Sequence, residues 1–191
     1  GAYRYQQGIA GVAVSATSIT ATYPIATTVG NLLIAYYNSL AGSVGVLTPP
    51  SGWTQATIAT QSTVSYIYYK IADGTETTVA FSQTSARNLQ LYIQEYTGFT
   101  GEATLDVTDG NSTASSVTTL STNGSNPSNS AQPALALATL VNSATLGNTI
   151  SVTNSFILDT SPRTIASSWI HVAKELTSLA AVNTTFTWTT S

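Results

Sequence analysis

The stretch Asn88-Leu89-Gln90-Leu91-Tyr92-Ile93-Gln94 decides the fold class. Leu89, Leu91 and Ile93 fall on one face and Gln90, Tyr92 and Gln94 on the other, the period of two that marks a half-buried strand. Val64 to Ile71 alternates in the same way, with Ile67, Tyr69 and Ile71 on one face and Tyr66, Tyr68 and Lys70 opposite. Further strands are predicted at Val12–Ile19, Leu32–Tyr37, Thr77–Phe81, Val117–Ser121, Ala134–Val141, Thr149–Asn154, Ser168–Lys174 and Thr184–Thr189. Thr, Val, Ile and Tyr fill them. Turn chemistry separates them, at Thr48-Pro49-Pro50-Ser51-Gly52, Asp73-Gly74, Asp109-Gly110-Asn111 and Asn123-Gly124. Only Ala173 to Ala181 reads as a helical turn. The expected class is all-β, an antiparallel β-sandwich or jelly roll. Trp53, Ile67, Phe81, Leu91, Ile93 and Leu137 are the expected core.

Composition narrows the function classes. Of 191 residues, 5 are Lys or Arg, 8 are Asp or Glu, 1 is His, and Cys and Met are absent. Charged residues are 7% of the chain, against about 25% in an ordinary soluble domain. Ser and Thr, 24 and 34 of them, take their place together with Asn and Gln. Without Cys there is no disulfide framework, thiolate metal site or cysteine nucleophile. One His excludes a multi-histidine metal site. Five scattered bases and a net charge of -3 argue against nucleic acid, whose binding leans on phosphate neutralisation. No stretch reaches the roughly 18 apolar residues of a membrane helix, so membrane insertion is not expected. No signal peptide is read, and a chain beginning at Gly1 reads as a mature or trimmed product.

The chain also reads as two similar halves. Trp53, then Tyr66-Ile67-Tyr68-Tyr69, then Thr77-Thr78-Val79-Ala80-Phe81 and Thr84-Ser85 align with Phe156, Trp169-Ile170-His171-Val172, Thr184-Thr185-Phe186-Thr187-Trp188 and Thr190-Ser191. Asn31-Leu32-Leu33-Ile34-Ala35 aligns with Gln132-Pro133-Ala134-Leu135-Ala136. The organisation expected is an extension over residues 1–11 and one sandwich over 12–191, with pseudo-repeat halves of about 12–99 and 100–191. The first half continues into the Leu89–Ile93 strand; the second stops where its counterpart should begin. A missing strand exposes an apolar slot and unpaired backbone. The N-terminal segment, with Tyr3, Tyr5, Gln7 and Ile9 on one strand phase, is the expected donor for that slot, from the same chain or from a neighbouring copy.

A resemblance attaches to particular residues: Gly30-Asn31-Leu32-Leu33-Ile34-Ala35-Tyr36-Tyr37, Pro49-Pro50-Ser51-Gly52-Trp53-Thr54, Tyr68-Tyr69-Lys70-Ile71-Ala72-Asp73-Gly74, Thr75-Glu76-Thr77 and Glu95-Tyr96-Thr97-Gly98-Phe99. They resemble the β-sandwich modules of phage virion and tail-associated proteins, prophage reading frames and secreted bacterial surface proteins. Residues 30 to 99 carry it, with Asn31 where Asp is usual and Phe99 where Val is usual. The resemblance implies a non-enzymatic fold with no catalytic residues to carry over and no cofactor.

The side chains with chemistry are few. His171 lies on the strand phase of Trp169 and Ala173 and reads as a surface or strand-face histidine, since no nucleophile elbow frames a serine. Glu102, Asp106, Asp109 and Asn111 are weak calcium candidates, because hard oxygen donors on a turn suit that ion, but Asp-Gly-Asn is equally a turn. Tyr36, Tyr66, Tyr68 and Tyr92 lie on strands where one phase faces outward. They read as core or cross-strand rings, as interface residues, or as platforms for a cell-surface glycan. Asn111, Asn123 and Asn183 open glycosylation sequons. The expectation is a non-enzymatic structural or adhesive module, extracellular or on a virion surface: a phage virion or tail-fibre component, or an extracellular filament subunit that self-associates through strand edges or a donated strand. The alternative is a lectin-like carbohydrate-binding module of a secreted protein.

Overall fold

The computed structural model describes residues 3–40, 42–99, 105–106, 108–113, 117, 119–122, 134–142, 146–158, 168–176 and 182–190. Twelve strands account for most of them, and no helix occurs among the described residues. The chain is all-β with antiparallel sheets, consistent with a β-sandwich. It divides into two compact units, one of Gly1–Ile58 and Ser62–Thr104, the other of Ala59–Gln61 and Leu105–Ser191.

The first unit contains β1 (Arg4–Thr22), β2 (Leu32–Leu40), β3 (Leu47–Thr48), β4 (Thr54–Thr60), β5 (Val64–Ile71) and β6 (Thr78–Thr97). The order across the sheet is β1-β6-β2-β5-β4, with β3 joined to β6. β6 is long enough for both of its ends to line one core. Val79 and Phe81 from one end, beside Ile19 and Ala21 of β1, meet Leu89, Leu91 and Ile93 from the other, together with Leu33, Ala35 and Tyr37 of β2. The sheet therefore folds over itself, and register shifts between Ala13 and Ser18, with Ser15 at φ 48°, mark the bend. Tyr37 stacks on Phe81 at 4.7 Å across this core.

The second unit contains β7 (Thr119–Ser121), β8 (Ala134–Asn142), β9 (Leu146–Val152), β10 (Ile157–Leu158), β11 (Ser168–Leu176) and β12 (Thr185–Thr190). Two three-stranded sheets, β10-β11-β8 and β7-β12-β9, enclose Leu140, Phe156, Val172, Phe186 and Trp188. Strand orders within the units correspond. β4-β5-β2 of the first is repeated as β10-β11-β8, and β1-β6-β3 as β7-β12-β9, every pair whose register is defined being antiparallel. One difference stands out. β2 has a second neighbour, residues Asn88–Tyr96 of β6, whereas β8 pairs only with β11 among the described residues.

Several expectations need correction. Phe81, Leu91 and Ile93 are fully buried and Trp53 packs against the core, but Ile67 is only half-buried, and so is Leu137. On β5 the inward phase is Tyr66 and Tyr68, because Tyr66 lies opposite Tyr37 and Tyr68 opposite Ala35, both core residues of β2. Ala173–Leu176 continues β11 as strand instead of turning helical; residues 177–181 lie outside the described residues.

Candidate functional site

The densest polar constellation forms where β1 runs beside the end of β6. Tyr5 is opposite Tyr96 and Gln7 opposite Glu95, so Gln6 is an extra residue that changes which face follows it. Tyr5 and Gln7 consequently point to opposite faces, which corrects the single phase expected for Tyr3, Tyr5, Gln7 and Ile9. Tyr3 stacks on Phe99 at 4.4 Å, Tyr5 meets Tyr96 edge-on, and Ile9 lies opposite Ile93. All four belong to or flank a strand that is paired with β6 of its own chain. Gly8 follows from the same bulge: a Cβ there would lie 2.5 Å from the Tyr5 hydroxyl and 2.9 Å from the Ile93 carbonyl oxygen.

Glu95 is fully buried, and its carboxylate is held by three donors. Gln7 Nε2 donates to Oε2 at 2.5 Å, and Thr28 N and Asn31 Nδ2 donate to Oε1 at 2.8 and 2.7 Å. Gln7 is tied in turn to the loop after β1, donating to the Ile25 carbonyl and accepting from the Ile25 amide. A buried carboxylate is tolerable only with such donors. A second acid, Glu76, closes the same loop: it accepts from Thr27 Oγ1 at 3.0 Å and from the amides of Asp73 and Gly74, and lies 3.4 Å from Lys70 Nζ. Gly74 adopts φ 85°, the left-handed conformation this turn requires. The hydroxyl and amide of Thr75 hold Asp73 well below the usual carboxylate range. Burial, with Glu95 and Glu76 nearby, raises the Tyr23 phenol far above its ordinary value. These acids act as struts that fasten the 23–31 and 72–77 loops to the sheet.

Both faces of the sheet are closed where β2, β5 and β6 carry their tyrosines. Tyr36, Tyr66, Tyr68 and Tyr92 are all buried, as the core or cross-strand reading expects and not as an interface or glycan platform would be. Tyr36 and Tyr92 pack edge-on at 6.2 Å; Tyr66 lies 6.0 Å from Tyr37 and 6.1 Å from Tyr68. Tyr68 Oη donates to Gln55 Oε1 at 3.2 Å, and the Tyr37 hydroxyl donates to Gln83. Burial raises the phenols of Tyr37, Tyr66 and Tyr68. Gln90 and Gln94, read from the alternation as solvent-facing, are buried too. Three residues in register across three strands make a polar row: Ser65 Oγ donates to Asn38 Oδ1 at 2.8 Å, and Asn38 Nδ2 to Gln90 Oε1 at 3.1 Å.

In the second unit His171 shares its face with Trp169, ring to ring at 5.2 Å, as its phase predicts. It is fully buried and not on the surface, with Nδ1 3.0 Å from Thr139 Oγ1, and burial pushes its pKa down to about 3. The imidazole is therefore neutral at physiological pH. Of the calcium candidates, Glu102 lies outside the described residues. Asp106 and Asp109 are half-buried, and Asn111 is exposed. Asn111 Oδ1 accepts from the Ser112 amide at 2.9 Å and its Nδ2 donates to the Ser121 carbonyl at 2.8 Å, which is turn chemistry. No group of three or more acids and histidines suited to a metal occurs among the described residues.

The sequence reading missed the buried role of Glu95 and took Gln7 for a donor-strand residue, whereas Gln7 donates to that carboxylate. No local pattern signals the meeting of Asn31 with Glu95, because the two come together only through the pairing of β2 with β6. Compared with known proteins, the chain matches no protein family, and no curated protein or solved structure is similar to it.

Proposed function

We propose that the chain is a non-enzymatic structural or adhesive module that works outside the cell, as a phage virion or tail-fibre component or as a subunit of an extracellular filament. The observation that carries this reading is the use made of the side chains capable of chemistry. Glu95, Glu76 and His171 are all buried and spent on loops, strands and rings. A low-charge surface rich in Ser and Thr fits a body that makes many copies of one contact, because it offers little electrostatic repulsion between them. The resemblance of residues 30–99 to phage and secreted surface modules supports the same class.

The test is sedimentation of the purified chain over a wide concentration range, with electron microscopy of the concentrated sample and a glycan-binding screen. Ordered assemblies without glycan binding are the expected result. A chain that stays monomeric and binds a glycan saturably replaces this reading with the lectin-like one.

A further inference from the structure

Among the described residues, β1 and β4 end the main sheet of the first unit, and β8 ends the β10-β11-β8 sheet of the second. The internal correspondence of the two units says what should lie beside β8. Its equivalent, β2, is flanked by Asn88–Tyr96 of β6, with β1 outside that. In the first unit this flank supplies Leu89, Leu91 and Ile93 to the core; among the described residues the second unit has no such strand. By that correspondence the β8 edge is the place for an extended strand.

β1 has the matching character. Between its irregularities at Gln6 and Ser15, Gln7 to Ala13 runs in unbroken register against Glu95 to Leu89. Ile9, Val12 and Val14 are 39%, 54% and 75% exposed, among the few large apolar side chains at the surface. Beyond Arg4 the strand carries no charge and no proline, and β8 carries neither. Natural edge strands are usually protected by such residues, and an edge lacking them is a template for another strand.

We propose that copies of this chain join edge to edge, the outer edge of β1 in one copy pairing with the outer edge of β8 in the next. The inference rests on the self-assembling reading above and names its contact. β1 keeps its ladder to β6, so no segment has to leave its own sheet. The two edges differ, so the contact is heterologous and propagates head to tail unless the rotation closes a ring.

The test is the double variant Val12→Lys with Val14→Lys, at positions whose exposure spares the fold, checked by circular dichroism melting. Wild type should form assemblies larger than a dimer and the variant should lose them. Added in excess to wild type, the variant should shorten the assemblies, because its β8 edge still accepts one neighbour; an unfolded protein could not cap. If the double variant unfolds, Val14→Lys alone serves in its place. Wild type that remains monomeric overturns the functional reading and this contact together. Wild type that assembles, with a folded variant that assembles to the same size, overturns the contact alone.

Discussion

Gln7 donates to Glu95 at 2.5 Å across the β1–β6 ladder, and through the backbone of Ile25 it fixes the loop that follows β1. An edge strand is thereby anchored by a buried carboxylate as well as by its ladder. That anchoring bears on assembly: a β1 fastened so firmly offers its outer edge without leaving its own sheet.

Asn31→Asp tests the carboxylate hub with almost no change in shape. Asn31 Nδ2 donates to Glu95 Oε1 at 2.7 Å, and an aspartate there turns a donor into a second buried charge. The cost at neutral pH should be on the order of 2–4 kcal/mol. It should shrink on acidification, as the introduced carboxyl takes up a proton. Equilibrium denaturation at several pH values reads both, and a cost below about half a kcal/mol at neutral pH would show that the hub does not bear on stability.

Tyr66→Ala and Ile67→Ala separate the two phases of β5. Tyr66 is buried against Tyr37 and Tyr68, whereas Ile67 is half-buried. Tyr66→Ala should cost about 3–5 kcal/mol, the range for large aromatic truncations. Ile67→Ala should cost clearly less. The reverse order in denaturation midpoints would place the core on the other face.

His171 predicts an acid-sensitive fold. Its pKa is lowered from 6.5 to about 3 by burial, so the unfolded chain takes up a proton that the folded chain refuses. Stability is complete above the unfolded value and falls as pH drops through the interval between the two, by up to about 1.4 kcal/mol per pH unit. His171→Gln removes this titration. Measured between pH 7 and pH 5, where most carboxylates stay ionised, wild type should lose up to about 2 kcal/mol more than the variant. Parallel profiles would mean that the imidazole titrates normally in the folded protein.

The strands were legible where alternation and turns agree: Leu89, Leu91 and Ile93 point inward, and Asp73-Gly74 turns the chain. The phase of β5 was not legible. Alternation shows two faces without saying which is inside, and tyrosine buries its ring while its hydroxyl finds a partner, as Tyr68 does at Gln55. Gln90 and Asn38 escaped for a similar reason: their amides satisfy each other in a buried row, so polarity did not mean exposure. The Gln6 bulge reversed the phase of the N-terminal strand, and nothing local in Tyr5-Gln6-Gln7 announces it. The repeat was legible in part: the strand order β4-β5-β2 recurs as β10-β11-β8, which the alignment of the two halves anticipates.

The proposed strand-edge contact between copies can be trapped directly, because the chain contains no cysteine. Copies carrying Val12→Cys would be mixed, in turn, with copies carrying Leu135→Cys, Leu137→Cys or Val141→Cys, and oxidised during assembly. A covalent dimer joining the two kinds of copy at one of these positions, with no cross-link between Val12→Cys copies alone, is the predicted result. Assemblies that form normally yet give no cross-link between β1 and β8 at any of the three positions would contradict it.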